Sequence, residues 1–181
     1  MNDEAKLQQT GAGLVPGGEG WFVVNAREAR WLHAPGRCAY SDFEADQPFA
    51  QVGISLAVLE PGEPMAMYHW EADQEDFLVV SGEAVLVIEG QERPLRAWDF
   101  VHCPPGAAHV IVGAGHGPCV LVAVGARTHQ DDPEWGAYPV DPVAARHAAT
   151  VREQTAEAHE AYAGLPRRRP VPYRPGWLPD L

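Results

Sequence analysis

Between Val52 and Gly125 the chain is cut into short apolar runs by turn residues, and this spacing sets the narrowest limit on its fold. Glu60-Pro61-Gly62, Ser81-Gly82, Glu89-Gly90-Gln91 and Pro104-Pro105-Gly106 each stop a run before it reaches the length of an ordinary helix. Within Val52–Leu59, Val52, Ile54, Leu56 and Val58 alternate with smaller residues, the period-two pattern of a strand in a barrel wall. Runs at Met65–Glu71, Asp76–Val80, Ala84–Ile88, Arg93–Leu95, Asp99–Cys103, His109–Val112 and Cys119–Gly125 continue the series, and Trp21–Val24 and Arg30–His33 precede it. About ten strands with no long helix between them predict an all-β fold, an antiparallel β-barrel or jelly roll.

The flanks differ from this centre. Residues 1–20 are polar and glycine-rich and read as a flexible N-terminus. Residues 34–50 read as a loop carrying Tyr40, Phe43 and Phe49. The barrel is expected over residues 21–125, followed by an extension over 126–181 with short helices and a proline-rich tail. Asp141-Pro142 pairs an N-cap with proline at the first helical position, which predicts a helix to about Ala149. A second helix is predicted from Thr155 to Ala163. Residues 166–181 hold five prolines and read as extended or disordered, with Arg167-Arg168-Arg169 as a solvated cluster.

The formal net charge of −12 argues against nucleic acid as a partner, because phosphate binding needs a positive surface. Cys38, Cys103 and Cys119 are odd in number and lack C-x-x-C spacing, so reduced thiols in a cytoplasmic protein are expected. No apolar run approaches the ~18 residues of a membrane span, and no membrane partner is expected.

Chemistry concentrates at the two ends of the stretch from Tyr68 to His109. Residues two apart on a strand share a face, so His69 and Glu71 point the same way, and Glu75 can return to that face after the turn at Ala72–Gln74. His109 follows the Pro-Pro-Gly corner on a different strand. Two imidazoles with one or two carboxylates suit Fe(II), Mn(II), Ni(II) or Zn(II) and leave coordination positions open. Tyr68, Gln74, Trp98 and His102 are candidates for the pocket beside them, against the plainer readings of core aromatic, solvated turn residue or packed strand residue. Of His102 and Cys103, which project oppositely, one faces the interior.

With these residues the sequence resembles the cupin superfamily, in its small single-barrel form. The family's first motif is G-x5-H-x-H-x3–4-E-x6-G and its second is G-x5-P-x-G-x2-H-x3-N. Glu75 and Gly82 fit the end of the first, and Pro104-Pro105-Gly106-Ala107-Ala108-His109 fits P-x-G-x2-H in full. Two registers remain open at the start. One places His69 and Glu71 at the two histidine positions with Gly62 one residue too far upstream. The other restores Gly62 but puts Tyr68 and Trp70 there. Trp98 stands where the second motif opens with glycine, and Gly113 where it closes with asparagine.

The resemblance implies a metal held by His69, Glu71, Glu75 and His109, with Glu71 as fourth ligand or catalytic base. It implies a metal-dependent enzyme acting on a small metabolite, of dioxygenase or of isomerase, epimerase or lyase type. The alternative is a non-catalytic module that binds or senses a small ligand. Two carboxylates beside the cation would weaken its pull on an anion, which favours a neutral or polar metabolite. The family tendency to pair through a sheet face implies a homodimer.

Overall fold

A computed structural model describes residues 3–45 and 47–180. Met1, Asn2, Asp46 and Leu181, read above as terminus, loop and tail, lie outside the described residues.

The N-terminal segment, expected to be flexible, contains a hairpin of β1 (Leu7–Thr10) and β2 (Gly13–Pro16). Trp21–Val24 forms no strand; Trp21 makes only an isolated bridge to Glu4. Next come β3 (Trp31–Ala34), β4 (Arg37–Ser41) and β5 (Val52–Leu59), so part of the expected loop at 34–50 is a strand. Of the strand expected over Met65–Glu71 only β6 (Trp70–Glu71) is regular. The series β7 (Glu75–Ser81), β8 (Glu83–Ile88), β9 (Gln91–Arg96), β10 (Phe100–Cys103), β11 (His109–Ala114) and β12 (Cys119–Ala126) follows the predicted runs within a residue or two. The C-terminal extension adds β13 (Gly136–Ala137), α1 (Pro142–Ala145), α2 (Ala158–Ala161) and β14 (Arg169–Val171).

Two antiparallel sheets face each other as a jelly roll. The larger has the order β10-β7-β12-β5-β4-β3-β14 and the smaller β11-β8-β9. Their inner faces meet in a core that includes Leu59, Phe77, Val79, Leu86, Ile111 and Leu121. β5 turns its smaller residues toward the cavity. Small Ser55 and Ala57 line the interior, whereas Val52 and Ile54 are exposed on the outer face. Small side chains at the open end of the wall leave a cavity where bulky ones would have filled the space.

The outer face at Leu56 and Val58 is covered by the tail. β14 pairs with β3, and the Trp177 ring sits 5.1 Å from that of Trp31. The proline-rich tail is therefore extended and docked, because its prolines are spaced around aromatic residues that bury against the sheet. Both helices are shorter than predicted. Asp141 caps α1 as expected, accepting from the Val143 and Ala144 amides at 2.8 and 2.7 Å, but α2 begins after Glu157 and not at Thr155.

The two departures from the second motif have backbone reasons. Gly113 admits no side chain, since a Cβ there would collide with the Glu60 carbonyl oxygen. Trp98 takes φ 75° in the turn between β9 and β10 and is 74% exposed, so a bulky residue occupies a conformation that suits glycine. Trp98→Gly should stabilise the fold by about 1 kcal/mol by removing that strain. Thermal unfolding should show a rise of about 2–4 °C, and a fall would reveal contacts that outweigh the strain.

Candidate functional site

The two halves of the site are brought together by backbone pairing. His69 and His109 exchange both main-chain hydrogen bonds, His69 N–H to His109 O at 3.1 Å and His109 N–H to His69 O at 2.8 Å. Residues paired in this way project their side chains to the same side. The two imidazoles accordingly lie with ring centroids 5.1 Å apart. Glu75, the first residue of β7, reaches toward them from the opposite sheet. Its Oε2 is 3.4 Å from His69 Nε2 and 3.3 Å from His109 Nε2.

Each imidazole is oriented by its other nitrogen. His69 Nδ1 lies 2.8 Å from the Met67 carbonyl oxygen, and His109 Nδ1 lies 2.9 Å from the Ala107 carbonyl oxygen. A carbonyl can only accept, so Nδ1 carries the proton in both rings and Nε2 is the atom turned to Glu75. Phe77 meets the His109 ring edge-on at 5.4 Å, and Tyr138 from the C-terminal extension stacks on His69 at 5.8 Å. One ligand atom from each of His69, Glu75 and His109 fits within 4.8 Å of the others. Glu75 Oε2 and His109 Nε2 are both buried with no hydrogen-bond partner among the described residues. Buried polar atoms are nearly always satisfied, so two orphans aimed at one point mark a place where something binds. The donor set, two imidazole nitrogens and a carboxylate oxygen, suits a divalent transition metal.

The same atoms compete for protons. Burial alone would lower the pKa of His69, but its contacts with Glu71 and Glu75 prevail and raise it to about 10. Burial likewise opposes the charged form of His109, and contacts with Cys103 and Glu75 raise it to about 9. Glu75 would be raised by burial, yet the two imidazoles hold it down at about 2.

The other predicted site residues are placed differently. Glu71 shares the His69 face, with Oε1 3.6 Å from His69 Nε2, but it lies outside the three-residue group and lines an outer cavity. Tyr68 is 3% exposed and turns away from the site, packing with Val87, Val110 and Ala144; adjacent strand residues face opposite ways, and His69 takes the inward position. Gln74 is exposed in its turn, bonded to Asp76. Trp98 lies on the surface. His102 is exposed and paired with Asp76 at 2.7 Å, so Cys103, 1% exposed and opposite Glu75 in the β10–β7 pairing, is the inward residue.

The site opens into a cavity of about 160 Å³ lined by Tyr40, Ser55, Ala57, Met65, Phe77 and Arg168 among others. It adjoins the larger outer cavity, which shares Tyr40, Ser55, Met65 and Glu75 and is rimmed by Asp42, Glu44, Glu71 and Asp73. Sequence reading missed Tyr138 and Arg168, which reach the site from the far C-terminal extension, where chain separation carries no signal.

No helix among the described residues is long and apolar enough to cross a membrane. Residues 55–125 match the family model described as a cupin domain. No curated protein matches the chain. Among solved structures, a candidate sugar phosphate isomerase from Acidithiobacillus ferrooxidans is 30% identical, over 51% of this chain and 62% of that one, with a TM-score of 0.47. This chain thus spans less than two thirds of that relative's length. A sugar phosphate isomerase of the cupin superfamily from Silicibacter pomeroyi is 28% identical over 55% and 71% of the two chains, with a TM-score of 0.46. An RmlC-like cupin from Shewanella frigidimarina is 16% identical over 60% and 92%, with a TM-score of 0.50, and shares the fold. The antiparallel jelly roll and the family-model match identify residues 55–125 as a cupin domain.

Proposed function

We propose that this protein binds a divalent transition metal through His69 Nε2, His109 Nε2 and a Glu75 oxygen, and that it acts as a metal-dependent enzyme on a small metabolite held in the adjoining cavity. The observation that carries this reading is the pair of buried, unpartnered atoms, Glu75 Oε2 and His109 Nε2, converging with His69 Nε2. Three protein ligands on one face leave positions open to water or substrate, and the metal would supply either dioxygen activation or polarisation of a substrate oxygen.

The remaining residues have separable tasks. The Met67 and Ala107 carbonyls hold the two rings in the ligating tautomer. Phe77, Ala57 and Ile111 make the inner wall apolar and exclude water. Glu71, half-buried at the boundary between the two cavities, is placed to accept a proton from a bound ligand as general base. A cavity of about 160 Å³ takes a ligand of roughly benzene size.

Metal analysis of protein purified without chelator tests this reading. About one equivalent of transition metal is expected, as purified or after titration. Less than about a tenth of an equivalent, with no uptake on titration, would remove the enzyme reading. Stoichiometric metal without turnover of any small metabolite would leave a binding module.

A further inference from the structure

We infer that Arg168 is the anchor for a carboxylate group of the small ligand, so that the cavity selects small monocarboxylates; this rests on the proposed metal site. Arg168 sits in the tail of the chain, within a run of three arginines whose neighbours Arg167 and Arg169 are exposed. It alone of the three turns inward and lines the same cavity as His69, Glu75 and His109.

The guanidinium is fixed before any ligand arrives. Nε donates to the Cys38 carbonyl at 3.0 Å, and Nη2 donates to the Met65 carbonyl at 3.2 Å and lies 3.0 Å from Cys38 Sγ. Its carbon lies 5.1 Å from the Tyr40 ring centroid. These contacts are all with neutral groups. No carboxylate pairs with Arg168 among the described residues, and Nη1 makes no hydrogen bond among them. A half-buried guanidinium ordinarily finds an anion, and this one has a free nitrogen and a ligand-sized space beside it. Its prior immobilisation lowers the entropy lost when an anion docks.

Charge within the cavity favours the same partner. Glu75 is the only carboxylate among the lining residues. A divalent cation on that carboxylate leaves one positive charge, and Arg168 contributes a second. Glu71, with Oε1 3.6 Å from His69 Nε2 at the edge of the outer cavity, offsets one of these, which leaves a single net positive charge for a monoanion. The expectation of a neutral metabolite is thus replaced by that of an anion. At the outer cavity Glu44 pairs with Arg127 at 2.7 Å and Asp42 with Arg30 at 3.1 Å, so it is Glu71, beside the metal ligands, that disfavours a second negative charge and selects a monoanionic carboxylate over a phosphate dianion.

Calorimetric titration of zinc-loaded protein with lactate, its neutral analogue lactamide, and inorganic phosphate provides the test. Lactate should bind at least about tenfold more tightly than lactamide and more tightly than phosphate. In Arg168→Gln, which keeps an amide donor for the cavity wall, lactate should lose at least about tenfold while lactamide and zinc affinities hold. Arg168→Lys, keeping the charge without the planar fork, should fall between. Equal binding of lactate and lactamide by wild-type protein, or lactate affinity in Arg168→Gln within about threefold of wild type, would reduce Arg168 to a clamp for the tail. Phosphate binding more tightly than lactate would overturn the carboxylate assignment. If wild-type protein takes up no zinc, the metal reading fails separately. The lactate and lactamide titrations are then run on metal-free wild type and Arg168→Gln, where a lactate preference lost with the arginine supports the anchor and an unchanged one rejects it.

Discussion

His109→Ala is expected to weaken zinc or iron binding by more than about 100-fold, because loss of a second-shell partner already costs 10–100-fold and His109 is proposed as a direct ligand. His69→Ala should do the same. Glu71→Gln should leave metal affinity within a few-fold, since Glu71 lies outside the group of three that converges. Competition with a chromophoric chelator measures all three. Thermal unfolding gives an independent reading. Metal present at about a thousand times its dissociation constant stabilises a folded protein by about 4 kcal/mol, which for a chain of this size is a rise of roughly 10 °C. That rise should vanish in His109→Ala and His69→Ala and persist in Glu71→Gln. Circular dichroism without metal checks that the alanine variants, which each open a small cavity, still fold. Undiminished binding by His69→Ala would favour the other motif register, in which His69 has no role.

Metal affinity should climb by as much as about 100-fold per pH unit through the neutral range, because two protons must leave for one cation to enter. With His69 raised to about 10 and His109 to about 9, both imidazoles carry an extra proton at pH 7 in the metal-free protein. Glu75, held at about 2, has none to release. The slope should shrink as pH passes through 9 and disappear above about 10. Calorimetry near pH 7.5, in buffers of different ionisation enthalpy, should count about two protons released. No proton release there would mean both rings are neutral before the metal arrives. Stability of the metal-free protein follows the same groups. The raised histidine values stabilise it fully below the ordinary value of 6.5, and that contribution is lost as pH rises through about 9 to 10. The depressed Glu75 stabilises it above the ordinary 4.5, and that contribution is lost as pH falls through about 2. Metal-free protein should therefore weaken toward alkaline pH, where metal-loaded protein gains most over it.

How much of this was legible in the chain depends on how local the cause is. The Val52–Leu59 strand, the turn at Ser81-Gly82 and the Asp141-Pro142 cap were readable because each rests on residues adjacent in sequence. Facing was harder. Alternation along β5 showed two sets of side chains without saying which faces inward. The packed barrel decides it, since Ser55 and Ala57 border an open cavity and Leu56 and Val58 are covered from outside by Trp31 and Trp177. The same parity question separated Cys103 from His102, and only the pairing of Cys103 with Glu75 resolved it.

The residues of the candidate centre divide along the same line. Sequence by itself determined His69, Glu71, Glu75 and His109 as candidates, because a two-residue spacing, a turn and a Pro-Pro-Gly corner are short-range facts. Their convergence on one point and the arrival of Arg168 and Tyr138 were decided only by tertiary structure. The main-chain bonds between His69 and His109 join residues forty positions apart, and Arg168 lies farther still along the chain. Contacts closed over such distances are selected by the packing of whole sheets, and no local pattern in the chain encodes them.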